Sequence, residues 1–301
     1  MNDESLLKRD GPDLVDLLSL EAASPWCFRS RRGEPNENGR TFGGQLIGQA
    51  LMAAARTAPQ DRAPTAIQFL FLQGAWHDQP IEYRVTALQD GKRFCARNVR
   101  GAQADARLVC DAQVTFALPL EAPSHMAAPE SQAWLAADPD SLPRLVDLPA
   151  ALAVGAERAL GYKFRESELV DLRIADLTEG AMSRQPTPQL RFWIKTRRSL
   201  PDDPLLHAAA FAYLSDWWLN FSAAGVHIPQ LIAAERSLYV ASLNHAIWFH
   251  RPLRADQWLH FDTVSPSAAG GRGFTTGRVH DRDGRLVASV AQESLMAPAA
   301  G

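Results

Sequence analysis

Cysteine is scarce in this chain: Cys27, Cys95 and Cys110 are the only three among 301 residues. An odd number at wide spacing excludes a disulfide framework and any Cys-x-x-Cys metal site. An excess of one charge is missing too, since 31 Lys and Arg face 34 Asp and Glu for a formal net charge of -3. That balance gives no electrostatic ground for a nucleic-acid partner. No apolar run reaches the ~18 residues of a membrane span. The opening MNDESLLKRD lacks the apolar core of a signal peptide, and the closing APAAG is not a peroxisomal tripeptide. These absences set the expectation of a reducing, cytoplasmic location. Present instead are 46% hydrophobic and 22% charged residues, the balance of a globular protein. A chain of this length buries roughly 75% of its unfolded surface without help from disulfides or metals.

The pattern of elements is α+β and it runs twice. Residues 1–25 are polar, with a short amphipathic piece around Leu14–Leu20. The segment GGQLIGQALMAAARTA (43–58) predicts a helix opened by Gly43 and Gly44, apolar on nearly every side. Strand-like runs follow at 66–72, 81–88, 93–101 and 106–118, two of them separated by an Asp90-Gly91 hairpin signal. Residues 119–160 are rich in proline and alanine without a sustained period, the best candidate for a linker. Asp203 and Pro204 then suit the N-cap and first position of a second apolar helix, expected to run on to Gly225. Four more strand-like runs follow, at 237–251, 258–265, 272–281 and 285–297. Arg107-Leu108-Val109 and Arg285-Leu286-Val287 share one long offset with Arg100 and Arg278, as duplication of a whole domain requires. Two architectures meet this pattern: a double hotdog, in which each tandem unit wraps a curved antiparallel sheet around a long helix, or two independent α+β sandwiches. The expected boundaries are 1–118, a 119–160 linker and 161–301.

Three residues are candidates for chemistry. Asp216, expected mid-helix within AFAYLSDWWLNF, has apolar or aromatic neighbours almost throughout. Burial raises a carboxylate's pKa toward neutrality, which suits a general base, although a structural carboxylate satisfied by Tyr213 or backbone fits the same letters. Ser242 lies in an alternating strand that puts Val240, Ser242, Asn244, Ala246, Trp248 and His250 on one face. No Gly-x-Ser-x-Gly elbow surrounds it, so a triad hydrolase lacks its cue. Gln292 shares a face with Leu286, Ala288 and Val290, where an amide must find a partner. His245 and His250 leave open a dehydratase that abstracts a proton beside a thioester carbonyl. The DRDGR turn at 281–285 lacks the ligand spacing of a calcium loop.

Six blocks, taken in order, carry a family likeness. FGGQLIGQAL (42–51), YRVTALQDGKRFCARNVRGAQ (83–103), PDDPLLHAAAFAYLSDW (201–217), NHAIWFHRP (244–252), RGF (272–274) and DGRLVASVAQESLM (283–296) resemble the acyl-CoA thioesterase II family. The resemblance implies a double-hotdog fold and hydrolysis of acyl-CoA to free acid and CoA, with no metal or cofactor. The family's catalytic Asp corresponds to Asp216 and its Gln to Gln292. Its Thr corresponds to Ser242, which keeps the hydroxyl and loses the methyl that stiffens the rotamer. Asn244 stands where the family commonly has Asp, and the run Thr65–Gln73 lacks the family's histidines and arginine.

The expected mechanism follows from that likeness: Asp216 accepts a proton from a water held by Ser242 and Gln292, and the water attacks the thioester. The rival expectations are a hotdog hydratase or dehydratase using His245 or His250, and an acyl-thioester binding module without turnover. An apolar acyl pocket, Arg272 near the CoA phosphates and a homo-oligomer complete the picture.

Overall fold

A computed structural model describes residues 13–36, 38–127, 137–147, 150–161, 166–174 and 186–299. Its helices are α1 (Leu14–Leu18), α2 (Gly43–Ala55), α3 (Ala150–Leu160), α4 (Pro204–Ser215), α5 (Phe221–Ala224) and α6 (Ile228–Ala233). The first-half strands are β1 (Leu20–Ser24), β2 (Cys27–Ser30), β3 (Ala63–Phe71), β4 (Glu82–Asp90), β5 (Phe94–Gln103) and β6 (Arg107–Ala117). The second half supplies β7 (Val170–Ile174), β8 (Gln189–Thr196), β9 (Leu238–Phe249), β10 (Leu259–Ala269), β11 (Arg272–His280) and β12 (Leu286–Pro298).

The twelve strands among the described residues form one sheet, ordered β1-β2-β4-β5-β6-β3-β9-β12-β11-β10-β8-β7, with antiparallel neighbours throughout. Outward from the central β3–β9 seam, the same sequence of strands appears in both directions. The seam joins the halves: Ala66 pairs with Trp248, and Leu70 with Asn244. Pairing the halves there removes two sheet edges that would otherwise lie open.

The two long helices pack on each other and on the sheet. Close approach depends on two glycines: a Cβ on Gly44 would overlap the Tyr213 carbonyl, and one on Gly48 would come within 2.8 Å of the Ala209 carbonyl oxygen. α2 buries nearly all its length and α4 all of Leu206–Ser215, as their missing polar faces require. The few polar side chains on α2 are answered. Gln49 donates to Leu17 O at 2.6 Å and accepts from Tyr83 OH at 2.8 Å, and Gln45 donates to Arg32 O at 2.7 Å.

The second helix ends earlier than its composition suggests. Asp203 caps its start, accepting from Leu205 N at 2.9 Å, with Pro204 in the first turn. It stops at Ser215, however, and Asp216 is its C-cap rather than a mid-helix residue. Trp218 takes φ 62° and turns the chain, its ring tilted 35° against that of Phe221 at a centroid distance of 4.6 Å, before α5 and α6 follow. Gly225, at φ -60°, is right-handed and caps the short α5, its N–H donating to Phe221 O, instead of ending a helix that began at Pro204. The stretch 119–160 contains helix α3, which its prolines disguise, and β7 and β8 were not legible in the sequence. All three cysteines are buried and free. Among the described residues, no helix is long and apolar enough to cross a membrane.

Candidate active site

The end of α4 places Asp216 against three other elements. Its Oδ1 accepts from Gln292 Nε2 on β12 at 3.1 Å and from Ser242 Oγ on β9 at 3.3 Å. Gln292 Nε2 also donates to Ser242 Oγ. The backbone N–H of Gly44, in the first turn of α2, donates to the same carboxylate. Asp216 Oδ2 lies where a Cβ on Gly43 would stand, so glycine at 43 is what makes room for it. Thus the three residues singled out in the sequence meet in space, and the helix from the other half closes the fourth side.

Protein surrounds the carboxylate, yet Asp216 and Ser242 keep part of their surface open to solvent. Burial pushes the Asp216 pKa up to about 7, against the opposing pull of Gln292, Ser242 and the Gly44 amide. Near neutrality such a group exists in both protonation states, which is what a general base at working pH needs.

Ser242 reaches this site through an irregularity. Strict alternation would put Ser242 and His245 on opposite faces of β9. Instead the register with β12 jumps from Glu293↔Asn244 to Ser294↔Ser242, leaving Leu243 as a bulge. Ser242 and His245 therefore both face the helices. This corrects the expected face of Ser242: Asn244 and Ala246 follow the bulge and lie on the opposite side, with the half-exposed Trp248. Asn244 Nδ2 donates to Glu293 Oε2 at 3.3 Å. The expected face for Gln292 holds for Ala288 and Val290, which are buried, while a second irregularity near Leu286 takes that residue out of the row.

His245 is 1% exposed and bonded at both nitrogens, Nδ1 to Gln292 Oε1 at 3.3 Å and Nε2 to Ser215 Oγ at 2.9 Å. Burial drives its pKa down to about 4, so the ring is neutral. The sequence marked this histidine only as a possible base; its contact with Gln292 was not foreseeable, because the bulge decides which face it takes. His250 is exposed and bonded to Ser289 Oγ at 2.8 Å, on a different part of the sheet. Arg272 is paired with Glu293 at 3.1 Å.

The first half offers a direct contrast. Thr275 pairs with Gln292 across β11–β12 as Arg97 pairs with Val114 across β5–β6, and His245 stands opposite Gln292 as Ile67 stands opposite Val114. At that equivalent place Arg97, 1% exposed, fills the space. It donates to Thr57 O at 2.9 Å beyond the end of α2 and pairs with Asp90 at 2.7 Å. A cation suits the carbonyl end of a helix. The first half thus carries a packed arginine where the second carries the Asp216 cluster.

No group of three or more metal-ligating side chains occurs among the described residues. The site offers instead a carboxylate, a hydroxyl and an amide around one partly open position, a set that can activate a water.

Comparison with known proteins finds acyl-CoA thioesterases along nearly the whole chain. Residues 32–117 match the family model of the acyl-CoA thioesterase N-terminal domain, and residues 139–296 that of the C-terminal domain. An acyl-CoA thioesterase 2 of Haemophilus influenzae is 29% identical over 286 residues, covering 94% of this chain and 96% of that protein. A crystal structure of an acyl-CoA thioesterase II from Mycobacterium marinum superposes with TM-score 0.74 at 32% identity, covering 96% of this chain and 98% of the other. A protein of unknown function with a hot dog fold from Alicyclobacillus acidocaldarius, only 18% identical, also reaches TM-score 0.74, covering 95% and 98% of the two chains; the likeness is one of fold. With both halves matched by the family's own domain models and the relatives covered almost end to end, this chain belongs to the acyl-CoA thioesterase II family.

Proposed function

We propose that this protein hydrolyses acyl-CoA thioesters to free acid and CoA with a water activated by Asp216. Ser242 and Gln292 hold that water. The observation that carries this reading is one shared knot of hydrogen bonds: Ser242 and Gln292 both donate to Asp216 Oδ1, on a carboxylate whose pKa stands near 7. A water entering from the open side replaces part of these direct contacts. Asp216 takes its proton as the water oxygen bonds to the thioester carbonyl carbon. The tetrahedral intermediate then collapses, the C–S bond breaks, and the CoA thiolate leaves with the proton returned by Asp216. Because a thiolate is a good leaving group, no separate strong acid is needed.

The twelve strands are read as a double hotdog, with units at 1–118 and 161–301 and a connection at 119–160. A cytoplasmic location and assembly into a homo-oligomer belong to the same reading. A dehydratase using His245 as base is disfavoured by that ring's burial, its low pKa and its two occupied nitrogens.

Release of free thiol from short, medium and long acyl-CoA substrates tests the proposal. Asp216→Ala is expected to lower kcat on the order of 10²–10⁴-fold. Unchanged turnover by the folded variant would remove Asp216 from the role.

A further inference from the structure

Gln292 has to present a particular end of its amide, and nothing in Gln292 itself chooses that end. In the ionised form that acts as base, the Asp216 carboxylate only accepts hydrogen bonds, so Nε2 faces its Oδ1, 3.1 Å away. Turned over, the amide would set Oε1 against the carboxylate oxygen and leave Ser242 Oγ without its donor. With Nε2 so directed, Oε1 is left facing His245 Nδ1 at 3.3 Å, and an amide oxygen there requires an N–H. A neutral imidazole carries one proton, so Nε2 is then bare and takes its hydrogen bond from Ser215 Oγ at 2.9 Å. Ser215 Oγ also lies 2.9 Å from the Ala212 carbonyl, and its single proton serves one acceptor at a time, so the Nδ1–H tautomer directs that proton to His245 Nε2 in place of Ala212 O.

We propose that His245 is a positioning residue: through Nδ1–H it locks the Gln292 amide with its N–H₂ end toward Asp216 and Ser242. The chain of contacts runs from Ser215, the residue before Asp216, through His245 and Gln292 back to Asp216, closing a ring between α4, β9 and β12. Such a ring holds the carboxylate and the amide in one mutual orientation, and it exists because the Leu243 bulge returns His245 to the inner face. His245 touches neither Asp216 nor the open side of the site by any hydrogen bond of its own, so its influence passes through Gln292. The first half has no such ring, since Ile67 and Val114 stand in the places of His245 and Gln292.

This role rests on the hydrolytic reading above, and the two are separated by a double-variant cycle. Thiol release is measured for wild type, His245→Leu, His245→Asn, Gln292→Met and the His245→Leu/Gln292→Met pair, each checked for folding by thermal melting. His245→Leu is expected to lower kcat on the order of 10–100-fold with KM moved by no more than about two-fold. His245→Asn, which keeps an N–H near the Nδ1 position, recovers most of that loss. In the Gln292→Met background, His245→Leu costs at most about a further two-fold, since a residue acting through another has nothing left to position. Full additivity in the pair, or wild-type kcat in His245→Leu, overturns the positioning role alone. Wild-type kcat in Gln292→Met overturns the hydrolytic assignment of Gln292 instead. Nitrogen NMR of the unmutated, histidine-labelled protein gives an answer that requires no variant to fold. A buried imidazole protonated at Nδ1 is expected, and one protonated at Nε2 would refute the proposal.

Discussion

Gly43 and Asp216 come from opposite halves of the chain, and the carboxylate Oδ2 of Asp216 occupies the space a side chain at position 43 would need. The ring of Phe71 fills the other side of the same space, 2.9 Å from where that Cβ would lie. Neither half can therefore form the site alone: the carboxylate comes from α4, while the opening that accommodates it comes from the first turn of α2.

Gly43→Ala follows directly from that contact. The added methyl forces the carboxylate or the Phe71 ring aside. Displacement of a reacting group by about 1 Å typically costs on the order of 10²-fold in rate. A loss of kcat of roughly that size is expected, with the fold retained because a helix tolerates alanine better than glycine. Thiol-release kinetics alongside a melting curve check both parts.

The pH dependence of kcat/KM should follow the Asp216 carboxylate. As a base it works only when ionised, so activity is low in acid, climbs through about pH 7 and levels off above. A profile already flat from pH 5 upward would contradict the raised pKa of this group.

The same carboxylate makes stability depend on pH in the opposite sense. Its pKa is higher folded, about 7, than the ordinary value of 3.8, so the folded state binds the proton more tightly. That contribution is complete below the unfolded value and disappears as pH rises through the folded one. Asp216→Asn removes the penalty of an ionised, enclosed carboxylate. By pH 8 the variant is expected to gain about 1–4 kcal/mol relative to wild type, with little difference near pH 3. Chemical denaturation at several pH values measures this directly.

The bulge at Leu243 gives a test of geometry rather than chemistry. Deleting Leu243 restores regular alternation, which turns Ser242 or its neighbours beyond the bulge to the outer face. Loss of turnover at least as large as in Ser242→Ala is expected. Ser242→Thr should stay active within about 10-fold, because the hydroxyl is kept and only the rotamer is restricted.

Arg97 predicts stability instead of activity. Its guanidinium is buried with Thr57, Asp90 and the Gln89 and Ala96 carbonyls as partners. Arg97→Ala strands those groups and is expected to destabilise the fold by about 2–4 kcal/mol. Denaturant titration is the appropriate measurement.

What the amino-acid order determined by itself was the repeating set of elements and the residue types at the site. Period-two alternation and two helices without a polar face identify eight of the strands and both long helices, because burial imposes those patterns locally. Asp216 stood out for the same reason, as a charge among apolar neighbours. Only the tertiary structure decided that Asp216 ends its helix, that Leu243 bulges to turn Ser242 and His245 inward together, and that Gly43 of the distant first half faces the carboxylate. A left-handed turn at Trp218 and a one-residue slip between strands are fixed by pairing and packing with remote segments. Such choices change which way a side chain points without changing the local pattern of letters, so they become visible only when the remote partners are in place.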